Sequence, residues 1–155
     1  MSIFVEEVGD LLLKKSYIKM VENGVGSKMF RNFYSRVDGV VVDVLRNGDL
    51  SCAYHVSSIL RTFGWVSETH SEVVATIEDM LNNDWRTISD PRIGAIIVWG
   101  DKLGESGETH KHIGFYIGNG IAVSNHDEER SPTKHHWTYD DSRNIEVILW
   151  HDELS

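Results

Sequence analysis

The chain has 155 residues, 41% hydrophobic and 25% charged, the balance of a folded globular domain, which excludes a disordered tail or a fibre. Lys and Arg number 15 against 24 Asp and Glu, and the formal net charge of −9 opposes nucleic-acid backbones and anionic membrane surfaces as partners. The length predicts a single domain over 1–155, able to bury roughly two-thirds of its unfolded surface.

An N-terminal helical extension is expected over about 1–38. Its main helix carries Phe4, Val8, Leu11, Leu12, Lys15, Ile18 and Val21 at near-helical spacing and stops at Asn23-Gly24. The start, Met-Ser-Ile-Phe-Val-Glu-Glu, turns acidic where a secretory signal would be basic and then apolar. The best apolar run, 93–99, is too short to span a bilayer. The expectation is a cytoplasmic protein with no membrane partner, with signal-independent export left open. Val40 to Leu45 is β-branched and reads as a strand or extended lead-in, followed by an Asn47-Gly48-Asp49 turn.

Ser51 then stands where a helix N-cap would, with Ala53, Val56, Ile59, Leu60 and Phe63 at three- and four-residue steps up to Gly64. A further helix is predicted over Ser71 to Leu81, its buried stripe Val73, Val74, Ile77, Met80 and Leu81. The second half changes period: a strand over Ile93 to Trp99, a polar loop from Gly100 to Gly107, a strand over His112 to Ile117, a Gly118-Asn119-Gly120 turn, a return strand to Asn125, a long polar loop from His126 to Asp141, and a last strand over Ile145 to Trp150. Helices followed by an antiparallel sheet predict the α+β class.

Cys52 is the single cysteine, which excludes an intramolecular disulfide and a zinc site built on several thiolates. It falls in the first turn of its helix, where unpaired N–H groups and the helix dipole favour a thiolate and can hold an oxyanion. The bland reading is a small buried hydrophobe beside Val56. Among eight histidines, His112 stands out because it begins a strand, which holds an imidazole rigidly, with Gly114 leaving room for a substrate.

Ser51-Cys52-Ala53, then Ile93-Gly94-Ala95-Ile96-Ile97-Val98-Trp99, then His112 through Gly120, resemble in order the NlpC-type papain-like cysteine peptidases and their relatives, the CHAP amidases. The likeness covers roughly Asp49 to Asn125. Ser51 stands where that family commonly has Asp, and a glycine that often follows the cysteine is missing. The resemblance implies a papain-like fold with N-terminal helices packed on an antiparallel β-sheet. It also implies a Cys-His pair oriented by a third polar residue on the next strand, and hydrolysis of an amide bond in a cell-wall peptide.

If Asn119-Gly120 is a two-residue turn, Tyr116 pairs with Val123 and Gly114 with Asn125, which makes Asn125 a same-face diagonal neighbour of His112. A three-residue turn would put Ser124 and His126 on that face instead, and the family's usual third position falls on Ser124. Asn125 is preferred because an amide oxygen accepts from an imidazole N–H without needing a charge. The catalytic set expected is therefore Cys52, His112 and Asn125, acting on a peptide or peptidoglycan fragment with no metal or cofactor.

His110 with His112, and His135 with His136, raise a metal reading, but spacing fixes no third ligand. His135 and His136 read as solvated or substrate-rim residues, His70 as a cap or packing residue, and His55, three residues after Cys52 on the same helix, as a solvated or core-edge residue. Trp99 and Trp150 read as core. Two rivals to the hydrolase stay open: a catalytically silent binding module, and a histidine-based metal protein.

Overall fold

A computed structural model describes residues 9–103 and 107–155. The β-strands are numbered in chain order as β1 (Tyr34–Val37), β2 (Val40–Asp43), β3 (Trp85–Ile88), β4 (Ile96–Leu103), β5 (Thr109–Gly118), β6 (Ile121–His126), β7 (Ser131–His136) and β8 (Ile145–His151). The helices described are α1 (Leu13–Asn23), α2 (Cys52–Thr62) and α3 (Val73–Leu81), with a short 3-10 turn at Asp152–Leu154. β1 and β2 form a separate hairpin, and the other strands make one antiparallel sheet in the order β3-β8-β4-β5-β6-β7. The α+β class is therefore as expected from the order of periods.

α1 is narrower than the predicted extension. Leu11 and Leu12 precede it and are exposed, Phe4 and Val8 lie outside the described residues, and Tyr34 already begins a strand. The helix buries Tyr17 and Val21 in the same core as α2 and the sheet. The Tyr17 hydroxyl donates to the Gly94 carbonyl at 2.9 Å, which satisfies its one buried polar group. α2 buries Ala53, Val56, Ile59 and Leu60, as its spacing dictates. Ser51 begins it, but its hydroxyl makes no cap bond and is buried with no partner among the described residues. In α3 the stripe is rotated: Thr76 is buried, while Val74 and Leu81 are exposed. Thr76 is accommodated because its hydroxyl donates back to the Glu72 carbonyl at 2.8 Å.

The sheet has two apolar faces. Ile96, Val98, Ile113, Phe115, Val123 and Leu149 face the helices. Ile97, Trp99 and Ala122 face the other side, covered by Tyr116, Trp137, Tyr139 and Ile145. Besides β1, two strands of this sheet lie where the sequence predicts none. β3 is short, and β7 occupies part of the expected long loop, at the sheet edge where Pro132 needs no ladder donor.

Candidate active site

The Asn119-Gly120 turn has φ of +54° and +76°, both left-handed, as a two-residue hairpin turn requires. Gly118 pairs with Ile121, but the register then slips by one residue, so that Tyr116 faces Ala122 and Phe115 faces Val123. This corrects the pairing expected from the turn alone. The extra residue flips the faces. Ser124, not Asn125, meets His112: the His112 Nε2 and the Ser124 Oγ are 2.9 Å apart. Asn125 points to the helix side and donates from Nδ2 to the Gly48 carbonyl at 2.8 Å, which ties down the turn ahead of Cys52.

Gly114 serves this contact rather than a substrate. A Cβ there would lie 2.7 Å from both the Ser124 Cβ and the Val123 carbonyl oxygen, and 3.1 Å from the Trp99 ring. The missing side chain is the space that Ser124 and Trp99 fill.

Cys52 opens α2 and is half-buried. The backbone N–H of Ile113, one residue beyond His112, is among the groups that favour its thiolate, so the start of α2 lies against the strand that carries the imidazole. The expected resting thiolate is not what the surroundings favour. Burial pushes the thiol pKa up, and the N–H groups of Ile113, Ala53 and Cys52, with the charge of Arg143, offset only part of that. His112 is held well below its ordinary value, first by burial and then by the positive charges around it, Arg143 foremost. Thiol and imidazole are both neutral at rest.

Four residues that the sequence reading did not place in the catalytic set lie around His112 and Ser124. His135 Nε2 lies 2.7 Å from the Ser124 Oγ, and the Tyr139 hydroxyl lies 2.9 Å from it. The His135 and Tyr139 rings stack at 3.9 Å and 13°. Tyr139 sits at φ +54°, a conformation that costs a bulky residue about 1–3 kcal/mol and clusters at functional sites. Trp99 packs against His112, His135 and Tyr139. Arg143 donates to the Gly100 carbonyl at 3.1 and 3.2 Å and to the His110 carbonyl at 2.8 Å, which fixes its charge near both Cys52 and His112.

Three other histidines make their contacts outside this cluster. His55 is fully buried between Phe30 and Phe115, with neither ring nitrogen partnered among the described residues, and burial lowers its pKa to about 3. His70 Nε2 lies 2.6 Å from the Asp79 carboxylate and braces α3. His136 is exposed and bonds locally to Thr138. Among the described residues no group of three or more His, Cys, Asp or Glu side chains is placed to hold a metal ion, and no helix is long and apolar enough to cross a membrane.

No protein-family model matches this chain, and no curated protein matches it.

Proposed function

We propose that the chain is a thiol hydrolase of papain-like type that cleaves an amide bond, with Cys52 as nucleophile, His112 as base and acid, and Ser124 as the group that orients His112. The observation that supports the reading is the place of Cys52: it opens a helix that lies against the strand carrying His112, close to the Ile113 N–H, and the Nε2 of His112 is engaged by Ser124.

The reaction starts from a neutral pair. His112 takes the thiol proton through Nδ1 as the sulfur attacks the carbonyl carbon. The N–H groups at the start of α2 and the Arg143 charge oppose the negative charge that develops. The imidazolium gives its proton to the leaving amine. Neutral again, it draws a proton from water, which attacks the thioester; the C–S bond breaks, the acid leaves, and the imidazolium returns its proton to the sulfur. The NlpC resemblance points to a cell-wall peptide fragment as substrate.

Wild type and Cys52→Ala, each incubated with peptidoglycan fragments and a peptide library, test this by mass spectrometry. New amine and acid termini are expected from wild type alone. Equal cleavage by both proteins overturns the assignment. A silent binding module is the second reading, favoured by the neutral resting thiol, and it predicts substrate retention without cleavage in both proteins.

A further inference from the structure

Ser124 is 1% exposed and touches three polar groups, yet its hydroxyl has one proton to give. That proton can be traced. His135 Nδ1 lies 2.8 Å from the His136 carbonyl oxygen. A carbonyl only accepts, so Nδ1 of His135 carries the hydrogen. In the neutral ring Nε2 of His135 is then bare and must accept, and its partner at 2.7 Å is the Ser124 Oγ. Ser124 therefore donates to His135. With its only proton committed, the serine oxygen accepts from its other two neighbours through its two lone pairs. Tyr139 donates its O–H, and His112 donates an N–H from Nε2.

We infer that His135 is a positioning residue that acts through Ser124 to hold His112 in the tautomer protonated on Nε2, which leaves Nδ1 bare as the base for Cys52. The anchor of the chain is a main-chain carbonyl, which cannot reverse its polarity. Every site on Ser124 is filled, so no alternative orientation of the hydroxyl keeps all three bonds. Tyr139 is secondary in this scheme: its phenol fills the second lone pair of Ser124 and its ring stacks on His135, but the direction of the Ser124 proton is set without it.

The catalytic meaning of this tautomer rests on the hydrolase reading; its existence does not. The test is the ring-nitrogen NMR spectrum of the full-length, ¹⁵N-labelled protein at neutral pH, with no substrate present. His112 is expected to show a protonated Nε2 and an unprotonated Nδ1. His135→Phe keeps a ring to stack on Tyr139 but removes the acceptor, and it should give His112 a mixture of both tautomers. Ser124→Ala should do the same and serves if His135→Phe does not fold. Tyr139→Phe should leave the His112 tautomer unchanged. A wild-type His112 protonated on Nδ1 overturns the inference. So does a His112 spectrum unaltered in His135→Phe, or in Ser124→Ala where that variant stands in. Where turnover is measurable, His135→Phe should lower kcat about 10- to 100-fold with KM little changed, as loss of an orienting partner does. An inactive wild type with the expected tautomer would remove the hydrolase reading and leave the proton chain standing.

Discussion

His55 offers the most quantitative test of the packing. Its ring is fully buried between Phe30 and Phe115, and both nitrogens lack partners among the described residues, so a charge there would be neither solvated nor paired. Its pKa is accordingly about 3, against the ordinary 6.5 of a solvated histidine. A base with a lowered native pKa binds its proton in the unfolded chain first. Stability is therefore intact above pH 6.5 and falls as the pH drops through that value, levelling off only near 3. The loss through this one group is about 0.8 kcal/mol at pH 6 and about 2 kcal/mol at pH 5, relative to pH 8. His55→Leu, close in volume and without a titrating group, should lack this component. Urea unfolding of both proteins at pH 8, 6 and 5 measures it. The stability difference between variant and wild type should grow by about 2 kcal/mol in the variant's favour from pH 8 to pH 5. The constant cost or gain of the swap cancels in that comparison. Parallel stability profiles for the two proteins would refute a neutral, unsolvated His55.

Three further outcomes follow from the site. Gly114→Ala has no free space for its methyl, since backbone and Cβ atoms crowd it at 2.7 Å, so Ser124 must move; a stability loss of about 1–3 kcal/mol in urea, with loss of the His112–Ser124 bond in the ring-nitrogen spectrum, is expected. Asn125→Ala leaves the Gly48 carbonyl without its donor and should cost about 1–3 kcal/mol of stability while the His112 tautomer is unchanged; a changed tautomer with unchanged stability would restore Asn125 to the site. Alkylation of Cys52 by iodoacetamide should be slower at pH 7 than that of a free thiol and rise with pH to a midpoint above the ordinary thiol value, because burial opposes the thiolate; fast alkylation at pH 7 would mean a preformed ion pair.

The helices and central strands were legible because their apolar residues recur with the right period over enough residues. Val56, Ile59 and Leu60 mark α2, and Ile96 to Trp99 mark β4, each without help from the rest of the fold. The site was legible only in its outline. A slip of one residue between Tyr116 and Gly118 decides whether Ser124 or Asn125 faces His112, and nothing in a strand's composition announces that slip. Gly118, at φ +99°, is its trace in the sequence, but a glycine beside a turn is also ordinary turn chemistry. His135 was hidden for a different reason. Its strand, Ser-Pro-Thr-Lys-His-His, is polar and lies at an edge, so no buried alternation betrays it. Thr133 faces Ser124 and His135 faces Ala122, a two-residue rhythm too short to separate from a loop.

The thiol itself turns on a comparison of magnitudes. A helix N-terminus stabilises a nearby anion by about 0.3–1 kcal/mol, less than about one pKa unit. Burial of an ionisable group can cost about 3–5 units. Cys52 sits where both act, and burial wins despite three N–H groups and the Arg143 charge. Position on the helix therefore does not make a resting thiolate here, and in the proposed hydrolase the sulfur would have to lose its proton during attack. That raises the demand on His112, because only a bare Nδ1 can take the proton while Nε2 stays bound to Ser124. Arg143 works on both sides of this transfer. Its charge favours the thiolate but disfavours the imidazolium, so it shifts the pair's balance less than it shifts either group. The net driving force then depends on what the substrate brings, since a carbonyl that closes the site and accepts charge from sulfur converts the costly thiolate into a held oxyanion.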